Sequence, residues 1–71
     1  MDMARSVRDC AEKILGLLGR EDRVNVLRVA EQVGERSVVV YQAIGWLAHE
    51  GSVRYEEEGN QVYLSIPDSG T

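Results

Sequence analysis

A single histidine and a single cysteine limit the chemistry open to this 71-residue chain. His49 has the side chain of a general base and Cys10 that of a nucleophile, but their spacing puts them on separate helices. Cys10 falls on an apolar stripe, where a thiol acts as a small hydrophobe. His49 falls in the last turn of its helix, where it complements the helix dipole. One His and one Cys do not make a tetrahedral metal site. Glu56, Glu57 and Glu58 supply three carboxylates, but together at a hairpin tip they read as a solvated charge run and not as an acid/base pair. There is no Gly-rich phosphate loop. The expectation is a chain that is not an enzyme, with no catalytic residues, cofactor, metal or small-molecule ligand.

The residues that remain for recognition lie in the stretch 37–51, which reads as one helix. Ser37 is placed to cap its first turn and Gly51 to end it in the left-handed conformation. Val40, Ala43, Ile44, Leu47 and Ala48 recur at helical spacing and form the inward stripe. The outward face carries Val38, Gln42, Gly45 and His49, with Val39, Tyr41 and Trp46 on its flanks.

The elements that position this helix follow from the same periodicities. Asp2 caps a first helix running to about residue 18 and ending near Gly19. Met3, Val7, Cys10, Ala11, Ile14, Leu17 and Leu18 face inward, and Arg5/Asp9, Arg8/Glu12 and Asp9/Lys13 are spaced for ion pairing on the other side. Val24-Asn25-Val26 makes a minimal strand, and Asn25 also caps a second helix over 26–33 with Val26, Val29, Ala30 and Val33 inward. Gly34 stops it, so only a very short turn precedes the third helix, the spacing of a helix-turn-helix. After Gly51 the pattern alternates with period two: Val53 and Tyr55 face inward, then Val62, Leu64 and Ile66. Between these runs Gly59-Asn60 is a hairpin dipeptide. Pro67 ends the second strand, and 67–71 reads as a short disordered tail beside a single domain over 1–66.

Charge and composition set the outer limits. The net charge is −4. Acidic and basic residues balance through Arg36; beyond it Arg54 alone stands against Glu50, Glu56, Glu57, Glu58 and Asp68. The lone cysteine rules out an internal disulfide, and no apolar run is long enough to span a bilayer. A cytoplasmic protein with no membrane contact is expected. Domains this small are marginal alone, which favours a partner or a second copy.

Helix, minimal strand, helix, turn, helix and two-stranded hairpin is the order of a winged helix-turn-helix domain, a mainly α fold with a small β-hairpin. Residues 26–34 resemble the second helix of such domains, and 44–53 the passage from third helix into wing. More narrowly, the run Ala43-Ile44-Gly45-Trp46-Leu47-Ala48 followed by Glu56-Glu57-Glu58-Gly59 resembles a family of small, uncharacterised bacterial winged-helix proteins of about this length. The resemblance spans roughly residues 3–66 and implies the fold.

The architecture implies DNA binding as one function, with the third helix in the major groove and the wing against the backbone. Arg36, Ser37, Tyr41, Gln42 and Arg54 would be the DNA contacts in that reading. Against it, residues 37–51 contain no Lys or Arg, and the acidic tip has the wrong sign for phosphate. The basic residues Arg20, Arg23, Arg28 and Arg36 are expected to be paired with interleaved acids. Trp and Val left in water forgo roughly 25 cal/mol per Å², and Trp is enriched at binding hot spots. The expectation is therefore a protein-contact domain, with a protein partner or a second copy of the chain meeting Val38, Val39, Gln42, Gly45 and Trp46. DNA-binding regulation is the alternative.

Overall fold

Asp2 starts the first helix as its spacing predicts, its Oδ1 accepting the Arg5 N–H at 3.2 Å. A computed structural model describes residues 2–67 of the chain. It contains α1 (Met3–Arg20), β1 (Val24–Asn25), α2 (Val26–Val33), α3 (Ser37–Glu50), β2 (Arg54–Glu58) and β3 (Gln61–Ser65). The fold is α+β: three helices and one antiparallel sheet. The sheet has three strands in the order β1-β3-β2, so the minimal strand joins the hairpin as a full member. This layout is compatible with a winged helix. The expected tail lies outside the described residues apart from Pro67.

The helix stops and starts are local chemistry. Asn25 Oδ1 accepts the Leu27 N–H at 2.8 Å and so opens α2 directly out of β1. Gly34 takes φ 75° and ends it. At the far end of α3, Gly51 at φ 82° donates its N–H to the Ala48 carbonyl, and Ser52 donates to that of Leu47. This pair of bonds is the Schellman closure, which needs a left-handed residue between them. The start of α3 corrects the expectation. Arg36, not Ser37, is the cap, with extended backbone, and its carbonyl accepts the amides of Val39 and Val40. Ser37 is already helical, so its hydroxyl is misplaced for capping, and the first turn has no side-chain cap.

The core is one cluster drawn from every helix and from the sheet. Cys10, Ala11, Ile14, Leu17 and Leu18 of α1 meet Val39, Val40, Ala43, Ile44 and Leu47 of α3, closed by Val24, Val29, Val53 and Leu64. Val29 is the one fully buried residue of α2; Val26, Ala30 and Val33 are half-buried around it. Met3, expected inward, is exposed in the first turn. The Cys10 thiol is pushed above its ordinary pKa, first by burial and then by the Glu35 carboxylate. None of the expected pairs along α1 closes. Lys13 instead reaches Glu35 in the α2–α3 connection at 2.7 Å, which ties α1 to the turn that launches α3.

The hairpin register pairs Tyr55 with Leu64 and Glu56 with Tyr63, and the chain reverses through Gly59-Asn60. Only Gly59 has positive φ, at 63°, which is the type II′ pattern. Leu64, in the central strand, is fully buried, whereas Tyr55 opposite it on the edge strand is half exposed. Tyr55 was expected inward. Helix α2 packs against β1 and β3, and β2 borders the sheet on the far side of β3. Val62 and Ile66 also lie partly open, one toward the tip and one beyond the last ladder pair.

Candidate interaction face

The outward side of α3 forms one shallow groove lined by Val38, Tyr41, Gln42, Gly45, Trp46 and His49. Counted from Val38 these positions fall at i, i+3, i+4, i+7, i+8 and i+11, so the groove follows one face along the helix. Val38, Tyr41 and Trp46 are between 42% and 46% exposed, an unusual amount of apolar surface for one face of so short a helix. No Lys, Arg, Asp or Glu lines it. Gly45 forms its floor. A Cβ added there would meet nothing within 4 Å, so no packing inside this chain requires the glycine.

Four of the five expected contact residues share this groove: Val38, Gln42, Gly45 and Trp46. Val39 does not. It is 1% exposed and belongs to the core. Val39 and Trp46 are seven residues apart, roughly 20° around a helix, so a helical wheel cannot separate them. Their difference is tertiary: Val39 sits one turn after the α2–α3 connection, where the Lys13–Glu35 pair brings α1 close. Trp46, two turns later, borders a second groove with Ala4, Val7 and Arg8 of α1 and keeps 42% of its surface open. It is thus a half-covered rim residue. Tyr41 and His49 complete the face; their i, i+4 spacing to Gly45 was the signal for them.

The residues of the DNA alternative are not gathered at one place. Arg36, Ser37, Tyr41 and Gln42 are exposed over the first half of α3. Arg54 opens β2, beyond the opposite end of a helix about 21 Å long.

The hairpin carries less free charge than its sequence suggests, because of Arg23, whose role the sequence does not announce. Arg23, in the connection between α1 and β1, crosses to the outer face of the sheet. Its Nη2 donates to Glu58 Oε1 at 2.6 Å and its Nη1 lies 3.5 Å from Glu56 Oε1. Its guanidinium carbon lies 4.0 Å from the centroid of the Tyr63 ring. The Ser65 hydroxyl donates to Glu56 Oε2, and Asn25 Nδ2 donates to Gln61 Oε1 on the same face. These contacts raise the Arg23 pKa, first through the Glu58 bond, and lower that of Glu56, first through the Ser65 bond. Glu57, on the other face beside Val62, makes no ion pair among the described residues.

Among the described residues no group of three or more His, Cys, Asp or Glu is placed to hold a metal ion. No helix among them is long and apolar enough to cross a membrane. In comparison with known proteins, no family model matches the chain and no curated protein matches it.

Proposed function

We propose that this chain is a cytoplasmic, non-catalytic winged helix-turn-helix domain that works through protein contacts, with the outward groove of α3 as its contact face. In this reading α2 and α3 are the helix-turn-helix, and β2 and β3 are the wing. The observation that carries it is the composition of the groove: exposed Val38, Tyr41 and Trp46 around Gly45, with no Lys, Arg, Asp or Glu in its lining. A DNA surface needs cations facing phosphate, since that electrostatic term supplies most of the non-specific affinity. A protein surface needs desolvated aromatic anchors in a pocket, and Trp and Tyr are the residues that fill that role.

The second reading, a DNA-binding regulator using Arg36, Ser37, Tyr41, Gln42 and Arg54, is favoured by one observation. Arg23 offsets Glu56 and Glu58, so the wing opposes a phosphate backbone less than three free carboxylates would.

Titrating random-sequence duplex DNA into the protein at low salt, followed by amide chemical shifts, separates the two. The protein-contact reading expects no shift along α3. Saturable shifts at Arg36, Ser37 and Gln42 that vanish as salt is raised would establish the DNA reading in its place.

A further inference from the structure

We infer that the outer side of β2 docks an extended basic segment of another protein. The segment adds to the sheet as a fourth strand, with an apolar side chain beside Tyr55 and a lysine or arginine beside Glu57. The inference concerns the hairpin and does not depend on the α3 groove.

The backbone of β2 suits such an addition. In the order β1-β3-β2 no strand pairs with the outer side of β2 among the described residues. Alternate amides and carbonyls along an edge strand are then left without a ladder partner. The five residue pairs from Arg54–Ser65 to Glu58–Gln61 are consecutive, with no bulge, and β2 contains no proline. Bulges and prolines are two of the means by which edge strands are kept from pairing. Four of the five β2 residues are exposed. The other edge is too short for the same use: β1 has two residues before Asn25 opens α2.

The side chains specify the occupant. β2 carries one cation, Arg54, against three carboxylates, and a second β2 would bring the same excess. On the face that Arg54 shares, Arg23 already binds Glu56 and Glu58. The other face carries Tyr55 and Glu57, two residues apart. Glu57 is exposed and makes no ion pair among the described residues. Tyr55 is half exposed, and Val62, across from Glu57 on β3, adds partly open apolar surface.

A strand laid along β2 presents every second side chain to this face. An apolar residue therefore meets Tyr55, and the residue two positions away meets Glu57. Aromatic and opposite-charge cross-strand pairs stabilise a sheet, and like charges directly opposite destabilise it. In strand addition the main chain gives affinity and alternate side chains give specificity.

The test is NMR titration of the full chain with two short synthetic peptides. One repeats Thr-Val-Thr-Lys, which puts valine and lysine on the same face; the other has glutamate in place of lysine. The lysine peptide is expected to slow the exchange of β2 amides and to give cross-strand contacts to Tyr55 and Glu57. The glutamate peptide is expected to bind roughly tenfold more weakly, the scale of an opposite-charge pair replaced by a like-charge one. Glu57→Lys is expected to reverse that preference without disturbing the hairpin. A lysine peptide N-methylated at alternate residues along its docking edge is expected not to bind, which separates strand addition from charge attraction.

No contact between the lysine peptide and β2 at millimolar concentration overturns the inference. Equal binding of the two peptides, an unchanged preference in Glu57→Lys, or undiminished binding of the N-methylated peptide does so too. Shifts confined to α3 would put the peptide in the groove and overturn it as well. Protection of the β2 amides on raising the protein concentration alone would make a second copy the occupant instead.

Discussion

The guanidinium of Arg23 lies over the ring of Tyr63, 4.0 Å from its centroid. A residue from the α1–β1 connection is thereby held on the central strand of the sheet, with Glu56 and Glu58 bound on either side of it. Cation–ring attraction and two ion pairs act on one side chain, so its removal affects the whole outer face of the hairpin at once. Arg23→Ala is expected to raise amide exchange several-fold across β2 and the Gly59-Asn60 turn, with little change in α1. Exchange rates followed by NMR check this; uniform protection in the variant would show that the clamp holds nothing.

Val38 and Val39 are adjacent, yet one lines the groove and the other is 1% exposed. Val39→Ala removes buried methyl groups and leaves a cavity, and is expected to cost about 2 kcal/mol by analogy with other large-to-small core changes. Val38→Ala is expected to stay within ~0.5 kcal/mol, as surface substitutions do. Urea denaturation of dilute samples compares the two, and equal effects would contradict the placement of Val39 in the core.

Gly51 adopts φ 82° to close α3. Gly51→Ala is expected to destabilise the fold by about 1–2 kcal/mol, since an L side chain is disfavoured in that region. Gly51→Asn is expected to cost less, because asparagine tolerates the left-handed conformation. Thermal unfolding of the pair against the parent chain measures both.

The Glu56 carboxyl is held below the usual carboxylate range, chiefly by the bond from Ser65, which outweighs the opposing desolvation, with lesser help from Arg54 and Arg23. A depressed folded-state pKa contributes stability above the unfolded carboxylate value, and that contribution disappears as pH falls through the folded value. Ser65→Ala is therefore expected to move the Glu56 titration upward and to reduce the stability gained between acid and neutral pH. Carbon-detected titration of the Glu56 carboxyl gives the first quantity and denaturation as a function of pH the second. An unmoved Glu56 midpoint would show that the serine bond contributes nothing.

Much of this fold is legible in the residues themselves because its punctuation is local. Asp2 and Asn25 bind amides within three residues, and Gly34, Gly51 and Gly59 adopt the conformations that their type makes accessible. What the residues conceal is tertiary. Ser37 and Arg36 compete for the cap of α3, and only the geometry of the α2–α3 turn decides between them. Val39 and Trp46 share nearly the same direction on a wheel but sit at opposite ends of a helix that is covered unevenly. Tyr55 keeps strict alternation with the core yet lies on the edge strand β2. Of the candidate face, Val38, Gln42, Gly45 and Trp46 were legible from spacing. Arg23 was not, since its partners are more than thirty residues away in the chain.

The strand order β1-β3-β2 leaves β2 with one side of its backbone unpaired, a template on which any extended chain could polymerise. Three of its five residues are glutamates. Stacking two such strands edge to edge in parallel register would set Glu56, Glu57 and Glu58 each against its own copy, and like charges directly opposite are destabilising. Charge on an exposed edge strand disfavours such pairing without needing any ligand.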